Sequence, residues 1–207
     1  MNEGVTSITR FAGCARFRFA MLCIYLLSGC GSMAAADSAE GLWSRLAQGG
    51  YVLVIAHGEG ANTASGRAYL AQDGCATPGH LSTAGTQALG NLKNTLLSRK
   101  VTVGRVLTSN DCRCVETAGL LFGRAQPWSI IDTTDQLDAQ LAVQTRAALI
   151  EAVSRWDSDA NLALVTLRVV IRDTFDIDAT PAQLLVIEPL GGQGFRIVGS
   201  LSPGTDF

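Results

Sequence analysis

Tyr51-Val52-Leu53-Val54-Ile55-Ala56-His57-Gly58-Glu59 is the stretch that decides the fold. Its first six residues are apolar, rich in β-branched side chains and free of polar alternation. That is the pattern of a strand covered on both faces. The run stops at His57-Gly58. Open α/β sheets place their ligands at the carboxyl ends of central parallel strands, so His57 stands where a site is expected. Gly58 permits a sharp turn and a close backbone approach. An imidazole titrates near neutrality and suits proton or group transfer, although a hydrogen-bonded structural histidine is the competing reading of these nine residues.

Working outward, Ala39 to Gln48 places Leu42, Trp43 and Leu46 on one face, a short helix stopped by Gly49-Gly50. Glu59 to Leu81 lacks periodicity and reads as a long loop, a length that is usually functional inside a compact domain. Ser82 caps a helix running to Lys100 on Ala84, Ala88, Leu89, Leu92 and Leu96. Arg105 to Ser109 reads as a strand, and Asn110 or Asp111 caps the next helix, through Arg113, Glu116, Thr117 and Leu121. A strand over Pro127–Asp132, an amphipathic helix over Leu137–Trp156 and a buried strand over Leu162–Leu167 follow. Two final strands, Gln183–Glu188 and Gly194–Leu201, are joined across Gly191-Gly192. Alternation of this kind predicts an α/β three-layer sandwich, a mostly parallel central sheet flanked by helices.

The N-terminus is read as processing signal rather than fold. Arg10, Arg16 and Arg18 precede an apolar stretch from Phe19 to Leu27, too short to span a bilayer as a helix and suited to export. It ends in Leu27-Ser28-Gly29-Cys30, which resembles the lipobox of bacterial lipoproteins. That resemblance implies cleavage before Cys30 and lipidation of its thiol, in place of an ordinary cut after Ala34 or Ala36. The expected organisation is a signal over 1–29, a flexible tether over 30–38 and one domain over 39–207, held by lipid in the bacterial cell envelope and facing the periplasm or exterior. Loss of three arginines and Glu3 takes 16 basic side chains to 13 and 18 acidic ones to 17, net −4. No basic footprint for nucleic acid exists. In an oxidising compartment Cys75, Cys112 and Cys114 supply one disulfide and one spare thiol. Cys112 and Cys114 lie too close in sequence for an ordinary bridge to each other, so Cys75 is expected to pair with one of them. Zinc held by Cys112, Cys114 and a histidine is the alternative.

With the elements placed, the chain resembles the histidine phosphatase superfamily, the phosphoglycerate-mutase-like fold, over the whole exported domain. The resemblance rests on Tyr51–Gly58, on Leu81-Ser82-Thr83-Ala84-Gly85 opening a helix, and on Ser109-Asn110-Asp111-Cys112-Arg113-Cys114-Val115-Glu116-Thr117-Ala118. Leu162-Ala163-Leu164-Val165-Thr166 and the closing strand pair complete it. It implies that Cys75 pairs with Cys112. It further implies His57 as a nucleophile forming phosphohistidine and Arg113 as a phosphate-binding cation, with a carboxylic acid protonating the leaving oxygen. Glu59 and Asp138 are the candidate acids. No metal or organic cofactor is called for.

The same resemblance calls for an arginine before His57 and a second histidine after Thr166, where this chain has Ala56 and Leu167. Arg168 follows directly but would point away on an extended segment; His80 and Arg67 are loop residues able to swing inward. The expectation is therefore a membrane-anchored domain with an incomplete phosphatase site and little or no phosphomonoesterase turnover, binding an anionic ligand such as a phosphorylated small molecule, or a protein partner. The alternative is an active phosphatase acting through His57 on a cell-envelope phosphomonoester. An α/β-hydrolase esterase is all but excluded, because the chain contains no G-x-S-x-G elbow.

Overall fold

The computed structural model describes residues 38–61, 80–132 and 138–207, all within the unit Ala35–Phe207. Strand β1 (Val52–Ala56) is buried at every position, as an apolar run without alternation requires. It lies inside a six-stranded mixed sheet of order β3-β2-β4-β1-β5-β6, with β2 Val103–Thr108, β3 Gln126–Pro127, β4 Asn161–Thr166, β5 Leu184–Pro189 and β6 Phe195–Leu201. The pairs β1–β4, β2–β4 and β2–β3 are parallel; β5 returns antiparallel to β1, and β6 to β5.

Among the described residues five helices cover the sheet: α1 Ala39–Gln48, α2 Thr83–Ser98, α3 Cys112–Phe122, α4 Ala139–Ser154 and α5 Arg168–Phe175. Alternate strand residues divide between two cores. Leu53, Ile55, Val106, Ala163 and Val165 pack with Leu42 and Trp43 of α1, Leu89 and Leu92 of α2 and Ala118 of α3. Val52, Val54, Ala56, Leu162 and Leu164 pack with Leu149 of α4 and Ile171 of α5 on the other face. The two-residue side-chain period of a strand sends neighbours to opposite layers, and this makes the sandwich.

Register places the site. Ala56 pairs with Thr166, and the next residue, His57, donates its backbone N–H to the Thr166 carbonyl at 3.1 Å. Ser109, the residue after β2, donates to Val165 at 2.9 Å. Three parallel strands therefore end together, and His57, the Ser109 loop and the start of α5 share one edge of the sheet.

Two elements differ from the sequence reading. The expected strand Pro127–Asp132 is only the two residues of β3, followed by a 3-10 turn over Ser129–Ile131 that buries Ile131 in the α4/α5 layer. Proline has no N–H to extend a ladder. Helix α5 was not expected. Leu167, Val170, Ile171 and Phe175 do have helical spacing, but three β-branched residues in a row read as strand, and the N-cap Leu167 has no capping side chain.

Cys112 is disulfide-bonded, whereas Cys114 is a free thiol with no exposed surface. The zinc alternative fails on that ground, since a disulfide sulfur is not a thiolate ligand. The Cys75 half of the expected bridge lies outside the described residues. Burial pushes the Cys114 thiol far up in pKa, so it is expected to resist alkylation in the native chain and to label fully in denaturant. Peptide mapping without reduction is expected to link Cys75 to Cys112. Rapid native labelling of Cys114 would contradict the packing described.

Candidate active site

The turn after β1 is fixed from three directions. The backbone N–H of Gly58 donates to Thr117 Oγ1 on α3 at 3.0 Å. Ser82 N–H donates to the Glu59 carbonyl at 2.8 Å, and Ala61 N–H to the His80 carbonyl at 2.8 Å. A Cβ at Gly60 would lie 3.3 Å from Arg113 Cδ, so a side chain there would push the arginine aside by a few tenths of an ångström. The segment 58–61 is thus clamped between the start of α2 and the first turns of α3.

His57 is 5% exposed. Its Nδ1 lies 2.7 Å from the Gly58 carbonyl oxygen, a pure acceptor, so Nδ1 carries the proton. In the neutral ring Nε2 keeps its lone pair, and it has no hydrogen-bond partner among the described residues. Every fully buried side-chain nitrogen or oxygen among them is partnered, so Nε2 is open to solvent. Burial is the largest influence on the ring and holds its pKa below the ordinary 6.5. The Gly58 carbonyl opposes that shift, the charge of Arg113 reinforces it, Asp111 opposes it, and Arg168 reinforces it.

Arg113 follows the N-cap of α3 by two residues. The cap, Asp111, accepts from Arg113 N–H at 2.9 Å. The same carboxylate takes the Arg113 side chain as a fork: Nε to Oδ1 at 3.0 Å and Nη2 to Oδ2 at 3.0 Å. Burial of Asp111 alone would raise its pKa, but the hydrogen bonds and charge of Arg113 outweigh that and hold the carboxyl below its usual range. The fork correspondingly raises the pKa of Arg113.

Of the other residues singled out in the sequence, Ala56 is wholly buried in the α4/α5 core, and Leu167 packs on both cores. Asp138 caps α4, accepting from Leu141 N–H at 2.9 Å on the exposed surface. Glu59 holds its backbone in the clamp and leaves its side chain outside. His80 meets the Glu116 carboxylate on α3, and Glu116 also accepts from Leu81 N–H at 2.9 Å. Arg67 and Cys30 lie outside the described residues. Arg168 does not point away on an extended segment: it opens helix α5, exposed, with its charge felt at His57.

One residue was missed. Asp132 follows the 3-10 turn and grips the loop after β2, accepting from Ser109 Oγ at 2.7 Å, Asn110 N–H at 2.7 Å and Asn110 Nδ2 at 2.8 Å. Its signal was its place just beyond the third parallel strand, at the same sheet edge. Among the described residues no cluster of His, Cys, Asp and Glu is arranged to hold a metal ion. No helix among them is long and apolar enough to cross a membrane.

No family model and no curated protein matches the chain. Solved structures do. The protein histidine phosphatase SixA, complexed with tungstate, superposes with a TM-score of 0.51 at 18% identity, over 74% of this chain and 97% of its own. A putative alpha-ribazole-5'-P phosphatase from Escherichia coli gives 0.54 at 17%, over 75% and 99%. Phosphoserine phosphatase from Entamoeba histolytica, in complex with 3-phosphoglyceric acid, gives 0.55 at 11%, over 76% and 99%. The chain has the histidine-phosphatase fold. At such identities the likeness is one of fold, and the chemistry of the site has to be argued from its own residues.

Within this histidine-phosphatase fold, acid is expected to act on the site in two windows. The folded pKa of His57 lies below its unfolded value, so the unfolded chain takes up that proton first and stability falls as pH drops below about 6.5. The stability that Asp111 contributes is present above its unfolded pKa of about 3.8 and lost as pH falls further. Thermal melts against pH are expected to show both declines. His57→Asn, whose amide can still donate to the Gly58 carbonyl, removes the upper one, and Asp111→Asn the lower. A His57→Asn profile identical to wild type above pH 5 would contradict the assignment.

Proposed function

We propose that this chain is an exported, lipid-anchored domain that keeps the histidine-phosphatase fold but has little or no phosphomonoesterase activity, serving to bind an anionic ligand or a protein partner. The observation that carries this is the state of the two positions flanking His57. Ala56 and Leu167 stand where the resemblance calls for an arginine and a histidine, and both are absorbed into apolar packing. A phosphate monoester carries close to two negative charges, and catalysis of its transfer is largely positioning and charge neutralisation. Losing one preorganised donor costs about 3–4 kcal/mol, roughly a hundred- to thousandfold in rate. Two losses need not add, but neither apolar side chain can donate at all. The anionic ligand class is carried over from the structural neighbours, which are phosphatases by name.

One observation favours the alternative of an active phosphatase: His57 is held in the tautomer that leaves Nε2 free to attack phosphorus. Trapping decides between them. The chain is incubated with an aryl phosphate, quenched in alkali, where phosphohistidine survives, and mapped by mass spectrometry. His57 is expected to gain no phosphoryl mass. A phosphorylated His57 peptide, absent from His57→Asn, would establish the alternative. The anchor rests on Leu27-Ser28-Gly29-Cys30 behind a charged start and an apolar run. Cys30→Ser is expected to move the protein from membrane to soluble fractions; an unchanged membrane fraction would count against lipidation.

A further inference from the structure

The Arg113 guanidinium, whose charge acts on His57, already has one of its two edges occupied. Arg113 offers its Nε and Nη2 edge, the planar fork that suits the oxygens of a carboxylate or phosphate. Both donors end on Asp111, at 3.0 Å each. That carboxylate cannot swing aside freely, since it also caps α3 through Arg113 N–H at 2.9 Å, and its side chain is only 14% exposed. It lies close enough to His57 for its charge to act on the ring. An anion approaching Nε2 therefore meets a fixed negative charge and a guanidinium whose Nε–Nη2 edge is taken, with only its Nη1 side left to donate. A carboxylate two residues away competes as an intramolecular ligand, at an effective concentration no free anion reaches.

We propose that Asp111 is the specificity-determining residue of this site: its carboxylate holds the Nε–Nη2 fork of Arg113 and sets a fixed negative charge beside His57, and so disfavours phosphate dianions there. This deepens the reading given under Proposed function and rests on it. It narrows the ligand to one that brings its own positive charge to Asp111, or to a protein surface that does.

Tungstate and inorganic phosphate are the probes, titrated by calorimetry into the full chain. Wild type is expected to show no binding at millimolar concentration. Asp111→Asn keeps a good capping residue but turns the carboxylate into an amide whose N–H₂ cannot accept from Arg113. It is expected to bind at least about tenfold more tightly than wild type, since a like charge beside the ligand is removed. Asp111→Ser, a second capping residue, is expected to do the same if the amide variant folds poorly. The gain is expected to vanish in Asp111→Asn combined with Arg113→Ala, and to be absent in Asp157→Asn, which makes the same change of net charge at an exposed position far along the chain. Failure of both Asp111 variants to gain affinity in the folded state overturns the proposal, as does a gain that survives loss of Arg113. Tight tungstate binding by wild type overturns it too. Aryl phosphate turnover in the same wild-type sample tests the parent reading separately: turnover with no effect of Asp111→Asn on binding would remove both, and no turnover with no effect would remove this inference alone.

Discussion

Gly85→Ala is expected to destabilise the fold by about 3 kcal/mol or more and to displace the site with it. A Cβ at Gly85 would lie 2.4 Å from the Glu59 carbonyl oxygen and 2.8 Å from the Glu59 nitrogen. Both are backbone atoms, so no rotamer change relieves the contact. The segment 58–61 would have to lift from the start of α2, loosening the Gly58–Thr117 hydrogen bond that sets the carbonyl facing His57. Gly90, on the same helix, provides the comparison. A Cβ there meets nothing within 4 Å, so Gly90→Ala is expected to stabilise by up to about 1 kcal/mol through helix propensity. Denaturant melts of the two variants measure the difference. A Gly85→Ala chain as stable as wild type would mean that segment 58–61 is not pressed against α2.

Asn161→Ala is expected to cost about 2–3 kcal/mol, by a different route. Asn161 is wholly buried at the entry to β4, at the opposite end of the sheet from His57. Its Oδ1 accepts from Tyr51 N–H at 3.0 Å, and its Nδ2 donates to the Leu46 carbonyl at 2.8 Å and the Thr102 carbonyl at 2.9 Å. One amide thus joins the end of α1 to the entries of β1 and β2. Truncation orphans the Tyr51 N–H, whereas the Leu46 carbonyl keeps the Gly49 N–H at 3.3 Å and the Thr102 carbonyl keeps the backbone N–H of residue 161 at 3.1 Å; one uncompensated buried donor costs about 1–3 kcal/mol. The same melts read it, and a loss under about 1 kcal/mol would show that water replaces the amide at no penalty.

What was legible in the sequence follows from how local each cause is. Val52 to Ala56 could be placed from composition alone, because burial on both faces leaves no room for polar alternation. Ser82 and Asp111 announce their helices through a side chain that bonds within two or three residues, and both cap as expected. Helix α5 was hidden because Val169, Val170 and Ile171 carry a strand-like composition over a helical period, and Leu167 offers no cap. That omission also misplaced Arg168. At the site, Arg113 lies near enough to His57 for its charge to act on the ring. The fork between Arg113 and Asp111 was not legible, since a cap's spare oxygen can face water or a neighbouring cation with the same sequence. The role of Asp132 depends on a contact to residues more than twenty positions earlier, which no local pattern records.

On the reading proposed above, the fold is kept while apolar side chains at positions 56 and 167 replace two of the donors that a phosphate dianion calls for. Steady-state hydrolysis of an aryl phosphate, by the full chain and by an active phosphatase of the same fold assayed alongside, tests it most directly. The chain is expected to be slower by at least about a thousandfold, with no loss on His57→Asn. Turnover within tenfold of the active enzyme and abolished by His57→Asn would contradict the account.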